Sequence, residues 1–182
     1  MAVPKEITIR KATRADLAAL LPQFRAYQEH YGTLTSATEE QTRDFLSCMI
    51  DDPNAGFILI AISDGLPCGF AAVYFTVSGL IAQRLAHLGD LYVVPAFRKQ
   101  DIGSTLFEAA SCEAHSHGIR LMRWLSVSSN APVNAWYSKM VRPVGTFELY
   151  LRPTEANKSL QPTATAVIPP AVAGDHASRR RG

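Results

Sequence analysis

Between Leu91 and Leu106 the chain reads Leu-Tyr-Val-Val-Pro-Ala-Phe-Arg-Lys-Gln-Asp-Ile-Gly-Ser-Thr-Leu. The β-branched and aromatic run at its start predicts a strand, and the apolar periodicity after Ile102 predicts a helix. Strand, tight loop and helix start together build an anion site from backbone alone, because first-turn N–H groups have no intrahelical acceptors. Arg98 and Lys99 add positive charge to that loop. The chemistry predicted is the holding of a phosphorylated ligand at the head of a helix. Asp101 runs against it, placing a carboxylate where an anion would bind.

The elements that carry this loop follow from patterning. Residues 7–10 alternate apolar and polar and predict a first strand. Thr13 and Asp16 have capping-box spacing and open a helix whose apolar positions are Leu17, Leu20, Leu21, Phe24, Tyr27 and Tyr31. Pro22 is expected to kink or split that helix, either as a tolerated bend or as a shaped wall of a substrate site. Gly32 is expected to end it. Ser36 and Glu39 form a second capping box, opening a helix that runs to about Ile50. Residues 57–62 predict a buried strand, Asp64-Gly65 a hairpin turn, 68–77 the return strand, and 85–94 a third long strand entering the loop. A helix is then expected over 102–117 with Gly118 at its C′ position, and a strand over 121–127. Asn130 and Pro132 start a short helix, and 147–151 form a last strand. An antiparallel front half leading into a βαβ unit predicts a mixed α/β sheet with helices on both faces.

At 182 residues, 47% hydrophobic and 19% charged, the chain has the size and composition of one globular domain with a substantial core. The net charge of +2 divides unevenly. Residues 152–182 set Arg152, Lys158, Arg179, Arg180 and Arg181 against Glu155 and Asp175, which is +3 and leaves −1 for 1–151. A near-neutral body offers no nucleic-acid-binding face. Cys48, Cys68 and Cys112 are odd in number and lack metal-type spacing, so buried reduced thiols and no metal site are expected. No apolar run approaches the ~18 residues of a membrane span. The N-terminus opens into a strand without a signal-peptide core, and a cytoplasmic protein with no membrane partner is expected. Beyond Pro153 Ser, Thr, Ala and Pro dominate, and no aromatic follows Tyr150. Residues 1–153 are therefore expected to be the folded domain and 154–182 a disordered tail, whose Arg run is solvated or meets an acidic partner.

Two motifs in order resemble the GNAT N-acetyltransferases. Val94-Pro-Ala-Phe-Arg98, followed by Ile102, Gly103 and Leu106, is similar to that superfamily's acetyl-CoA loop, Arg/Gln-x-x-Gly-x-Gly/Ala. Asn130, Val133, Trp136 and Tyr137 are similar to its later motif, Asn-x-x-Ala-x-x-aromatic-Tyr, with one helix and one strand between the two. Residues 9–16 resemble a typical family opening, and the resemblance covers residues 5–151. Within the superfamily, residues 90–94, 124–130 and 27–31, with Thr38 and Glu39, resemble most the branch that acetylates diamines and similar small amines.

The resemblance implies a mostly antiparallel GNAT-like sheet with a βαβ acetyl-CoA-binding core, acetyl-CoA as co-substrate, and a homodimer. Leu91, Tyr92 and Val93 would offer backbone groups to the pantetheine arm. Arg98, Lys99, Gln100, Asp101, Ile102, Gly103 and Ser104 would wrap the pyrophosphate, with Ile102 packing inward. Asn130 would hydrogen-bond the cofactor near its pantetheine portion. A strand N–H near Tyr92 or Val93 would stabilise the developing oxyanion. Tyr137 would protonate the departing thiolate as general acid. A base must relieve the attacking amine of a proton. The diamine branch carries a Glu just before the strand Asp, where this chain has Gly89. Strand alternation puts His87 on the face of Gly89 and Leu91, with Asp90 on the opposite face. An ordinary pKa of ~6.5 suits His87 to the task. Asp90 and a water relay from Glu29 or Glu39 are the other candidates.

Two positions depart from the family pattern. Asp101 replaces the first loop glycine. Asp tolerates the left-handed conformation, but at ~4 Å and an effective dielectric of ~20 its charge would oppose a phosphate by ~4 kcal/mol, unless Arg98 or Lys99 neutralises it or it points outward. Val141-Arg142 stands where the family has Gly-Phe. The expected function is acetyl transfer from acetyl-CoA to a primary amine of a small molecule, polyamine-like first, by direct attack in a ternary complex. Glu29, Glu39, Glu40 and Asp90 would attract a cationic acceptor. An antibiotic or peptide amine is the alternative within the class, and a non-catalytic acyl-CoA-binding relative the alternative outside it.

Overall fold

Period-two alternation and strong turn residues build the sheet. In the computed structural model, which describes residues 6–31 and 37–148, β1 (Ile7–Lys11), β2 (Gly56–Ser63), β3 (Leu66–Ser78) and β4 (Gln83–Val93) pair antiparallel in sequence order. β5 (Met122–Trp124) then joins parallel to β4. Asp64 and Gly65 connect β2 to β3 with φ of +51° and +78°, the left-handed pair that lets a two-residue turn follow strand twist. The mixed, mostly antiparallel sheet is the one the sequence predicts. The chain divides into two compact units, residues 1–125 and 126–182. The first holds all five strands with α1 (Leu17–Tyr31), α2 (Glu39–Asp51) and α3 (Ile102–Ser116), and the second holds α4 (Ala131–Tyr137).

Each sheet face has its own helical cover. Leu20, Phe24, Leu46 and Met49 pack with Ile58, Ile60, Phe70 and Ala72, so α1 and α2 lie on that face. Phe24 stacks on Phe70 with ring centroids 3.9 Å apart. Phe57 and Phe75 point the other way and meet His117 at the end of α3, at 6.0 and 5.0 Å. α3 buries Ile102, Leu106, Phe107, Ala110 and Ala114. Its last turn closes on Gly118, φ +73°, and the Ile119 N–H reaches back to the Ala114 carbonyl at 3.2 Å, a glycine-stopped helix end.

Several expectations need correction. α1 runs through Pro22 without splitting. An interior proline costs ~3 kcal/mol, whereas burying Leu20, Leu21 and Phe24 yields ~1.5–3 kcal/mol apiece. α2 starts at Glu39, capped by Thr38: the Gln41 N–H donates to Thr38 Oγ1 at 3.1 Å and the Thr38 N–H to Gln41 Oε1 at 2.8 Å. Ser36 and Gly32 lie outside the described residues. β5 is three residues long rather than seven, and residues 141–148 form no strand; the rest of the expected last strand, and the tail, also lie outside the described residues. Cys68 is buried, but Cys48 and Cys112 are exposed. They fall off the buried stripes of their helices, which run through Thr42, Leu46 and Met49 in α2 and Leu106, Ala110 and Ala114 in α3. Among the described residues, no helix is long and apolar enough to cross a membrane.

The ladder between β3 and β4 is interrupted once. Ala72 pairs with Asp90 and Val73 with Leu88, so Gly89 is an extra residue, a β-bulge. Parallel pairing with β5 stops at Leu88 opposite Trp124.

At the entry to α1, Arg10 forks onto Asp16 with two 2.7 Å bonds, and the same carboxylate takes the Thr13 N–H at 2.8 Å. Arg10 above all, with Thr13, holds the Asp16 carboxyl far below the usual carboxylate range against the opposing push of burial. A depressed folded-state pKa means the stabilisation is complete above the ordinary value of about 4 and is lost as pH falls below it. Asp16→Ala is expected to lower unfolding stability by about 1–3 kcal/mol at pH 7. Urea midpoints of wild type and variant should converge as pH falls below about 4; a constant gap would show that the ionised carboxylate is not what holds the helix start.

Candidate active site

The polar residues of β4 gather where its alternation breaks. Phe70, Ala72 and Tyr74 share one face of β3, and their partners across the ladder are Tyr92, Asp90 and His87. His87 and Asp90 therefore lie on the same face, toward α1 and α2, and not on opposite sides as strict alternation predicts. The extra residue at Gly89 reverses the side of everything beyond it. Tyr74 completes the group: its hydroxyl donates to Asp90 Oδ2. Tyr27 of α1 also hydrogen-bonds Asp90 through its side chain. Aromatic rings enclose the carboxylate, with Tyr27 6.1 Å from Tyr92 and 5.8 Å from Phe70, and Phe45 of α2 6.1 Å from Tyr74.

Burial dominates the electrostatics. It pushes the Asp90 carboxyl above its ordinary value, with the Tyr74 and Tyr27 hydrogen bonds opposing, and His87 too when it is protonated. Burial, and then the Asp90 charge, push the Tyr74 phenol far above its usual range, so it stays a donor. The His87 imidazole is pulled down by burial first and by Arg123 second, which leaves it neutral at pH 7. Its buried Nδ1 has no hydrogen-bond partner among the described residues.

Gly89 is required by Tyr74. A Cβ on residue 89 would overlap the tyrosine ring, 2.8 Å from Cδ2 and 3.0 Å from Cζ. The sequence carries a hint of this, since a glycine inside an apolar strand often marks a bulge or a close approach. Nothing in the spacing points to Tyr74.

The outer edge of β4 opens at the same place. The Ala86 N–H faces β5 and bonds Leu121 O at 2.9 Å. Beyond Leu88 no described strand pairs with that edge. The Val94 N–H bonds Cys68 O at 2.9 Å, so alternation turns Tyr92 and Asp90 toward β3, and Leu91 and Val93 toward the open edge. Of the two expected backbone donors, Val93 has an outward N–H, whereas the Tyr92 N–H belongs to the ladder. Arg98 Nε donates to Val93 O at 2.9 Å, and its guanidinium lies 5.8 Å from the Tyr92 ring centroid.

The loop between β4 and α3 is held by two left-handed residues, Lys99 (φ +61°) and Asp101 (φ +58°). Asp101 makes no side-chain cap, but its carbonyl accepts from both Thr105 N and Thr105 Oγ1 at 2.9 Å. Its side chain is exposed, as are Arg98 and Lys99, while Gln100, Gly103 and Ser104 are half-buried. Ile102 packs inward at 1% exposure. A Cβ at Gly103 would meet only Val93 Cγ2, at 3.9 Å. The protein itself does not demand glycine there; its absence of a side chain leaves the helix start open to close approach from outside.

In the second unit, Asn130 occupies the N-cap position of α4 without a side-chain cap bond. Asn134, which neither motif marks, braces the preceding turn: its Nδ2 donates to Val127 O at 2.9 Å and Ser128 O at 3.2 Å. Tyr137 ends the helix, half-buried, its ring 4.7 Å from that of Trp136.

A model of the acetyltransferase (GNAT) family matches residues 21–140. An uncharacterized N-acetyltransferase of Bacillus subtilis, YhfO, is 29% identical over 133 residues, which cover 73% of this chain and 87% of that protein. A thialysine N-epsilon-acetyltransferase of Caenorhabditis elegans is 22% identical over 131 residues, 72% of this chain and 78% of that one. The crystal structure of a probable acetyltransferase superposes with a TM-score of 0.69 at 27% identity, covering 82% of this chain and 99% of its own.

The left-handed backbone at Asp101 makes a prediction that needs no ligand. Asp101→Ala should cost about 1 kcal/mol of stability and Asp101→Gly close to none, because only the alanine meets the left-handed penalty. Urea denaturation of the two variants reads the difference; equal midpoints would mean that the position carries no such strain.

Proposed function

This chain belongs to the acetyltransferase (GNAT) family, and from that premise we propose that its acceptor is a primary amine of a small cationic molecule, polyamine-like, attacked directly in a ternary complex. The chain is an acetyl-CoA-dependent N-acetyltransferase. The observation that carries the acceptor reading is Asp90, a carboxylate set among the rings of Tyr27, Tyr74 and Tyr92. A buried carboxylate attracts an ammonium group, and aromatic faces favour a cation over a neutral ligand. The name of the Caenorhabditis elegans relative, an enzyme acting on the ε-amine of thialysine, agrees with a lysine-like acceptor.

Acetyl-CoA supplies the thioester-bound acetyl group. The open edge of β4 at Leu91 and Val93, with Tyr92 between them, fits an extended amide-bearing arm that pairs like a strand. The start of α3 fits a pyrophosphate. First-turn N–H groups of a helix lack intrahelical acceptors, Gly103 leaves room, and Arg98, Lys99, Gln100, Asp101, Ile102 and Ser104 form the proposed wrap. Asn130 is the proposed hydrogen-bond partner of the cofactor near its pantetheine portion.

In the proposed reaction Asp90 accepts the proton that the acceptor ammonium loses before attack. Its raised pKa makes it a better base than an ordinary carboxylate. Neutral His87, on the same face, passes that proton on. The outward N–H of Val93 donates to the acetyl oxygen as negative charge develops on it. The Tyr137 hydroxyl protonates the departing sulfur, and the second proton that the nitrogen loses as the amide forms restores the phenol. The same proposal takes residues 1–153 as the transferase domain of a cytoplasmic homodimer.

Tyr137→Phe should lower kcat by about a hundredfold or more while calorimetry finds the acetyl-CoA affinity unchanged; equal turnover would remove Tyr137 as the acid. Acetyl transfer assayed over spermidine, lysine analogues, aminoglycosides and peptide amines should be fastest with the polyamine. Preference for an aminoglycoside would move the acceptor to the antibiotic class, and no acetyl-CoA binding at high micromolar concentration would end the enzyme reading.

A further inference from the structure

We propose that Tyr74, admitted to the sheet face by the missing side chain of Gly89, is a positioning residue that holds Asp90 in place and sets its protonation. The inference rests on Asp90 as the proton acceptor, and it adds two residues that the motifs do not contain.

Gly89 and Tyr74 form an interlock. The ring of Tyr74 occupies the space a residue-89 Cβ would need, and the ring of Phe45 of α2 lies 6.1 Å from it. Position 89 carries a side chain or the face carries Tyr74, but not both. Position 89 carries no side chain here, and Asp90, one residue on, has a phenol bonded to it. The bulge at Gly89 is also what turns Asp90 to the side of Tyr74, so a single glycine supplies both the room and the direction.

The titratable groups that bear on Asp90 come from every element packed around it. β3 contributes Tyr74, α1 contributes Tyr27, and β4 contributes His87; Arg123 of β5 bears on His87. α2 contributes the uncharged Phe45 through its contact with Tyr74. Burial favours the protonated acid, and the Tyr74 hydroxyl opposes burial by donating to the anion. Removing that hydroxyl leaves burial less opposed, so the Asp90 pKa rises. A base must be ionised to work, so the acidic limb of the rate profile moves to higher pH.

The test is a carbon-13 NMR titration of the Asp90 carboxyl in the full chain, with the pH profile of kcat/KM on spermidine beside it. Tyr74→Phe keeps the ring and removes only the hydroxyl; the carboxyl midpoint and the acidic limb should both move up by about one pH unit. Gly89→Ala displaces the ring and should give the same shift, and the double variant should shift no further than either alone. Thermal melting supplies a second readout: Gly89→Ala should lower the Tm in the wild-type background but not in Tyr74→Ala, where the space is vacant. An unmoved carboxyl midpoint in Tyr74→Phe overturns the positioning role, even if Asp90→Asn destroys activity. Full activity in Asp90→Asn overturns the reading of Asp90 as base, whatever the titration shows.

Discussion

The extra residue in β4 is the constraint from which the rest of the site descends. A strand without a bulge presents alternate side chains to alternate faces along its whole length. Gly89 breaks that rule once, and three features meet there. His87 and Asp90 come to one face, where α1 and α2 enclose them with aromatic rings. Pairing with β5 ends at Leu88, which leaves the backbone of Leu91 and Val93 open on the other edge. The missing side chain leaves room for Tyr74. The proposed proton acceptor and the proposed acetyl-CoA edge thus lie beside one local insertion on the same strand.

The polar cluster is stable only because it is bonded. A carboxylate taken out of water without partners would protonate rather than stay charged. Two tyrosine hydroxyls reach Asp90, and each favours the anion against the burial that favours the acid. The outcome is a carboxyl whose pKa lies above its ordinary value. Asp16 shows the contrast on the same fold. It accepts a bidentate Arg10 and the Thr13 N–H, so its pKa falls and it serves the helix start. Both are poorly exposed aspartates; a charged donor carries Asp16 down, while two neutral hydroxyls leave burial uppermost at Asp90. The solvent-facing pair of Arg43 and Glu39, at 3.0 Å, belongs to the class worth ~0–1 kcal/mol and settles nothing about the fold.

How much of this is legible in the sequence depends on how local each signal is. Asp64-Gly65 and Gly118 act through their own backbone, and each turn or helix end lies where its residue type requires. Helix starts are ambiguous where two capping boxes overlap: Ser36 with Glu39 and Thr38 with Gln41 are equally good by residue type, and the second is the one used. Pro22 misleads because helix-breaking cost is local while the burial that outweighs it comes from the sheet below. The face of His87 is misplaced for the same reason in reverse. Alternation is reliable until a bulge intervenes, and a bulge is fixed by what the neighbouring strand places beside it. Tyr74 carries no motif, so only the fold could join it to Asp90.

Asp101 illustrates how a sequence objection dissolves into two separate physical facts. The position needs a left-handed backbone, φ +58°, and aspartate is among the few side-chain-bearing residues that adopt it readily. The backbone then works as a helix start, with its carbonyl bonded to Thr105. The charge is the remaining issue, and exposure decides its size. At an effective dielectric of ~20 a like charge ~4 Å away costs ~4 kcal/mol, but in bulk water it costs ~1 kcal/mol, and salt screens it further. The exposed side chain of Asp101 belongs near the second figure. Arg98, turned onto Val93 and Tyr92, is not spent on neutralising it. The loop keeps the backbone geometry that glycine would give, at an electrostatic cost near the solvent-screened limit.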